Sequence, residues 1–240
     1  MGLGRGHHDL MFLSAFGASK PLGPTNDPSY SSVQFLQNFD TLSVGSVPLP
    51  LPNQKPSGAW SSNQSNDYEI VSTPSRFGNA AKYRYYAGFP PTGDALVLSG
   101  PSLSNFTLEF SFYLRSIVPL YLAFYLDVGY FYCDFPSGLP SQNFAFYTYL
   151  DANYKDTTFY PQVNTWYDIA VCSTLSDVKF FVNGVLKLTF PFSRSNLTQI
   201  VIPWGYADSA NGTPIIDDLR VSDIVRYTTN YTPSHPFINA

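Results

Sequence analysis

The stretch NFTLEFSFYLR (residues 105–115) alternates without a break. Phe106, Leu108, Phe110, Phe112 and Leu114 fall on one face, and Thr107, Glu109, Ser111, Tyr113 and Arg115 on the other. A period of two is the signature of a β-strand with one apolar and one polar face. The same reading predicts strands in VQFLQNF, PLYLAFYLDV, GYFYCDF, NFAFYTYL, WYDIAVCST, VKFFVNGVLKLTF, QIVIPWG and PIIDDLRVSD. Asn183 and Gly184 predict a two-residue hairpin, because a type I′ turn needs positive φ at both central positions. VPLPLPNQKP is too rich in proline for anything but a loop or an edge. No segment holds a helical period, and no repeat of solenoid or propeller length occurs. The expectation is an all-β chain folded as a two-sheet antiparallel β-sandwich.

The N-terminus breaks this pattern. MGLGRGHHDL is rich in Gly and His, and ASKPLGPTNDPSYSS has linker composition. Such a segment buries little apolar surface. Residues 1–32 therefore predict an extended anchoring arm, and residues 33–240 the sandwich. LMFLSAFGA resembles the apolar part of a signal peptide, but Asp9 before it and Phe16 near the expected cut argue against one. Gly6 stands where a myristoylation signal has Ser or Thr. No apolar run approaches the roughly 20 residues that span a bilayer, so no membrane insertion is expected.

Composition narrows the function. Charged residues make up 12% of the chain, against a usual level of roughly 25%, while 18 Tyr and 20 Phe raise the aromatic share to 17%. A net charge of −4 without a basic run disfavours nucleic acid as a partner. Tyrosine suits contact with sugars or protein, since its ring offers area at low entropic cost and its hydroxyl offers specificity. Tyr121 and Tyr125 share a face of one predicted strand, Tyr130 and Tyr132 of the next, and Tyr147 and Tyr149 of a third. If those strands are neighbours, the six form a platform for ligand binding; the alternative is core filling. Trp60, Trp166 and Trp204 read as core or rim packing. Cys133 and Cys172 lack a metal-type spacing and read as buried thiols, or as a disulfide in an oxidising compartment.

Four phrases carry a family resemblance: SRFGNAAKYRYYAGFPPTGDALVLSGP with NFTLEFSFYLR, then TWYDIAVCSTLSDVKFFVNGVLKLTF, then IIDDLRVSDIVRYTTNYTP. In this order they resemble the concanavalin A-like, laminin-G-like jelly-roll domain. The closing phrase is most similar to the version found in bacteriophage virion proteins. The resemblance covers about residues 33–237. It implies a binding or architectural scaffold, often for glycans. The implied setting is a virion surface: a tail fibre, spike or adhesin component for host attachment, or a decoration protein that stabilises the particle without binding sugar. The arm would dock onto other virion proteins, homo-oligomers are common in such assemblies, and host surface polysaccharide is the implied ligand. A secreted carbohydrate-binding lectin is the reading from another class.

The fold also hosts glycosidases, which need two carboxylates facing each other across the scissile bond. The glutamates are Glu69 and Glu109, and Glu109 has no acidic neighbour two residues away. His7, His8 and His235 lie in the arm and the tail. No catalytic set is expected. The resemblance also raises calcium, with weak candidates in DANYKD (Asp151, Asn153, Asp156) and around Asp127 and Asp134; an Asx-rich turn is the plainer reading. Strict alternation places Asp217 with Ile215, Leu219 and Val221 on an apolar face, and Asp218 on the other. A carboxylate so placed needs a partner, so Asp217 is expected to tie a turn or an arginine such as Arg226 beneath the sheet.

Overall fold

The computed structural model describes residues 27–46, 50–55, 57–63, 68–83, 96–115, 120–135, 143–149, 152–204 and 214–234. Sixteen strands lie among them: β1 (Val33–Gln37), β2 (Gly45–Ser46), β3 (Ser61–Asn63), β4 (Tyr68–Val71), β5 (Ala80–Tyr83), β6 (Leu96–Leu103), β7 (Phe106–Leu114), β8 (Leu120–Leu126), β9 (Tyr130–Phe135), β10 (Ala145–Thr148), β11 (Asn153–Asp156), β12 (Thr165–Ser173), β13 (Asp177–Val182), β14 (Val185–Pro191), β15 (Leu197–Trp204) and β16 (Ile215–Ser222). They form two antiparallel sheets packed as a sandwich. The nine-stranded sheet runs β14-β13-β12-β7-β16-β5-β4-β2, and β1 completes it by pairing with the second half of β16. The seven-stranded sheet runs β11-β10-β9-β8-β15-β6-β3.

The apolar face of the 105–115 stretch lines the core: Phe106, Leu108, Phe110, Phe112 and Leu114 are all buried there. Opposing them are Leu122, Phe124 and Leu126 of β8, Phe131 and Cys133 of β9, and Phe146 of β10. Phenylalanines join the layers, Phe106 to Phe124 at 5.5 Å and Phe146 to Phe180 at 5.3 Å between ring centroids, and Phe124 stacks on Phe131 of its own sheet at 4.5 Å. Each such pair adds roughly 0.5–1.5 kcal/mol beyond area burial. Trp60 is buried in the same core and donates its indole N–H to the Pro101 carbonyl. Cys133 and Cys172 sit in different sheets as free, buried thiols.

Asn183 (φ 50) and Gly184 (φ 74) form the β13–β14 hairpin. A side chain at Gly184 would meet the Tyr231 carbonyl oxygen at 2.0 Å, and the Tyr231 N–H donates to the Gly184 carbonyl. The C-terminal tail therefore lies directly across the hairpin.

On the polar face of β7, Thr107, Glu109 and Ser111 are all buried. The tail after β16 covers that face with Val225, Tyr227 and Tyr231, packed on Ala170, Cys172 and Phe181. Residues 27–32, which the sequence reading places in the arm, lie beside β1. They form a short 3-10 turn (Tyr30–Ser32), with Tyr30 packed on Val33 and Leu36.

One expectation needs correction, the strict alternation of β16. Ile216 lies opposite Phe112 and Val221 opposite Leu108, on the core face, whereas Asp217 lies opposite Ser111 and Arg220 opposite Glu109, on the outer face. Between those pairs two residues of β16, Asp218 and Leu219, lie against the single Phe110 of β7, and Asp218 has φ 48. This is a β-bulge, which re-aims the side chains after it. Asp217 therefore does not share a face with Leu219 and Val221.

Candidate functional site

Alternation in β8, β9 and β10 sends Leu122, Phe124, Phe131, Cys133 and Phe146 into the core, so their neighbours point outward. Register then aligns those neighbours: Tyr125 lies opposite Tyr130, Tyr132 opposite Tyr147, and Tyr147 opposite Tyr154 of β11. Facing residues on adjacent antiparallel strands stand close enough for aromatic rings to meet. Tyr125 and Tyr130 are 5.9 Å apart between centroids, Tyr130 and Tyr149 5.2 Å, Tyr130 and Tyr132 6.2 Å, Tyr132 and Tyr147 5.1 Å, and Tyr147 and Tyr154 5.1 Å. Six rings thus form one connected ladder across four strands. It is open to solvent, most of all at Tyr149 (58% exposed) and Tyr125 (41%). Core filling is not the role of these residues. Tyr121 lies opposite Asp134 in the register of the same face.

Tyr154 was not singled out in the sequence. It belongs to DANYKD, whose Asp and Asn suggest a turn, yet residues 153–156 form the edge strand β11. Pairing with β10 is what brings Tyr154 onto the ladder.

Asp134 closes one end of this face. It is 5% exposed, and its Oδ2 accepts a hydrogen bond from the Tyr154 hydroxyl at 3.3 Å. The Tyr132 and Tyr154 hydroxyls are hydrogen-bonded to each other in turn. Asp134 Oδ1 has no hydrogen-bond partner among the described residues. Burial pushes the carboxyl up to about 6, with the Tyr154 bond opposing it.

The structure places the calcium candidates only in part. Asp151 lies outside the described residues, Asn153 opens β11, and Asp156 Oδ1 accepts from the Asn143 side chain and the Thr158 N–H. Asp127 accepts from the Ser102 hydroxyl at the other end of the β8–β9 hairpin from Asp134. Among the described residues, no three His, Cys, Asp or Glu side chains are grouped to hold a metal. His7, His8 and His235 also lie outside the described residues.

On the opposite sheet the acidic groups have structural partners. Glu109 receives two hydrogen bonds of 2.7 Å from Arg220 and one of 2.7 Å from the Tyr227 hydroxyl, with Arg226 at 3.5 Å. Burial raises its pKa, but the two arginines and Tyr227 outweigh burial and hold it below the ordinary glutamate value. Asp27 bridges the same pair, 3.0 Å from Arg220 and 2.5 Å from Arg226. Asp217 Oδ2 accepts the N–H groups of Phe77 (3.1 Å) and Arg76 (3.3 Å). It ties the 76–77 turn, while Arg226 serves Glu109 and Asp27 instead. Burial, together with the neighbouring Asp218 carboxylate, pushes the Asp217 carboxyl well up.

Neither a known family profile nor a curated protein matches the sequence. Solved structures do match in fold. The binding domain of Paraclostridial Mosquitocidal Protein 1 aligns at a TM-score of 0.58 and 11% identity, over 82% of this chain and 50% of that one. Domain 4 of AbnA, a GH43 extracellular arabinanase from Geobacillus stearothermophilus in complex with arabinotriose, aligns at 0.55 and 13%, over 81% and 93%. The receptor-binding domain of botulinum neurotoxin D aligns at 0.55 and 12%, over 82% and 50%. The chain spans about half the length of the two toxin domains. At these identities the likeness defines the class of fold, a two-sheet antiparallel β-sandwich, and nothing narrower.

Proposed function

We propose that this domain is a non-catalytic glycan-binding module that uses the tyrosine ladder of the seven-stranded sheet as its binding face. The observation that carries the reading is the ladder itself: six connected rings on an open sheet face whose reverse side is packed into the core. Aromatic faces stack on pyranose rings, and phenolic hydroxyls read sugar hydroxyls. The described residues around the ladder offer no facing carboxylate pair for glycoside hydrolysis. The arabinotriose complex of the similar AbnA domain adds support by analogy of fold.

The biological setting follows the resemblance of IIDDLRVSDIVRYTTNYTP to phage virion proteins: an adhesin, tail-fibre or spike component that meets host surface polysaccharide. The N-terminal arm joins it to other virion proteins, in a homo-oligomer. Because Asp27 is held by Arg220 and Arg226, deletion of residues 1–26 should leave a folded domain that fails to join the particle. A capsid or tail decoration protein is the competing reading, since a tyrosine face also suits a protein interface. A glycan array probed with the wild-type chain and with Tyr130→Ala and Tyr147→Ala separates the two. The adhesin predicts retention on host envelope polysaccharide that both variants lose. High-copy copurification with capsids and no sugar retained favours decoration.

A further inference from the structure

The ladder has an end with its own chemistry. Asp134 Oδ1 is buried and lacks a hydrogen-bond partner among the described residues, which is costly for a carboxylate unless something fills the position. Oδ2 accepts a long 3.3 Å bond from Tyr154, and the carboxyl is also bonded by the N–H of its own residue. Tyr154 is half-buried on β11, the last strand of its sheet among the described residues, so no described strand beyond it holds its ring against a rotamer change. Among the described side chains, the groups on the side of Asp134 are Tyr132 on β9, Ala145 on β10 and Tyr154 on β11, with the Cys133 thiol on the core side. Asp156 pairs with Ala145 further along the same edge. Lys155 alternates to the side of Phe146, so among the described residues no cation stands in register on this face of β8 to β11.

We propose that Asp134 is the acceptor subsite of the ladder, taking a hydrogen-bond donor, hydroxyl or ammonium, from a non-anionic sugar when the Tyr154 ring swings aside. This deepens the glycan-binding reading and rests on it. An ionised carboxylate rejects a uronic or sialic acid at the same spot by like-charge repulsion, and a sugar donor supplies the hydrogen bond that Oδ1 lacks. A carboxyl raised to about 6 also makes the subsite pH-sensitive: it accepts fully above that pH and loses its charge below it.

The test is a glycan array carrying neutral, amine-bearing and carboxylate-bearing oligosaccharides, followed by calorimetric titration of the full chain with the tightest one. The ligand is expected among the neutral or amine-bearing sugars, and the array separates those two sources. Asp134→Asn, which keeps shape and loses charge, should weaken binding by about tenfold or more at pH 7.5, with the melting temperature maintained or raised. Wild-type affinity should fall as pH drops below about 6. Tyr154→Phe removes the competing hydroxyl and should bind at least as tightly as wild type. A preference for carboxylate-bearing sugar overturns the subsite, as does unchanged binding by Asp134→Asn. If Tyr130→Ala abolishes binding while Asp134→Asn does not, the glycan reading stands and the subsite alone fails. If no sugar is retained, both fail.

Discussion

Asp134 and Glu109 are both buried carboxylates, and their partners set them apart. Glu109 has two arginines and a phenol around it, so its charge is compensated. Removing that charge would leave Arg220 buried without its bidentate partner. Glu109→Gln should therefore destabilise the fold by about 3 kcal/mol or more, read as a lower midpoint in urea unfolding. Among the described residues no cation is paired with Asp134, and its carboxyl rises from 3.8 to about 6. A folded-state value above the unfolded one means that folding favours the protonated form. The benefit is complete below pH 4 and is lost as pH rises through 6. Asp134→Asn should remove this loss, so its melting temperature should gain on wild type between pH 4 and pH 7, by the equivalent of roughly 1–3 kcal/mol at pH 7. Parallel melting curves across that range would contradict the assignment.

At the scale of elements, alternation located most of the sheet, including the core face of β7, the β13–β14 hairpin and the tyrosine strands β8 to β10. Three things escaped it, each for a physical reason. The bulge at Asp218 inserts one residue into β16, and nothing in IIDDLRVS marks the break, because Asp tolerates positive φ without the glycine that would flag it. β11 hides in a run of Asp and Asn whose local preference is for turns, and pairing with β10 overrides that preference. The outer face of β7 looks solvated because it is polar, but the residues that cover it lie more than a hundred positions away, in the C-terminal tail. That cover makes the hairpin sensitive. Gly184→Ala places a methyl group against the Tyr231 carbonyl and adds positive-φ strain. It should detach the tail, exposing Tyr227 and Tyr231 to faster amide exchange in residues 224–231, while the exchange of β8 to β10 stays unchanged.

The whole molecule has two unlike outer faces. The nine-stranded sheet is closed off by the chain itself, from Asp27 at one end to Tyr231 at the other, through a buried ionic cluster and a second small hydrophobic cluster. Among the described residues the seven-stranded sheet presents the tyrosine ladder, open to solvent at Tyr125 and Tyr149, with Asp134 at one end. This asymmetry is the basis for the proposal that the domain binds through its second face. The most direct test compares retention of the wild-type chain and of Tyr130→Ala, Tyr147→Ala and Glu69→Gln on purified host envelope polysaccharide. Glu69 sits on β4 of the other sheet, paired with Lys82, and controls for handling of the variants. Retention of wild type and Glu69→Gln, with loss of about tenfold or more for each tyrosine variant, is the predicted result. Equal retention of all four chains, or of none, would contradict a glycan-binding ladder.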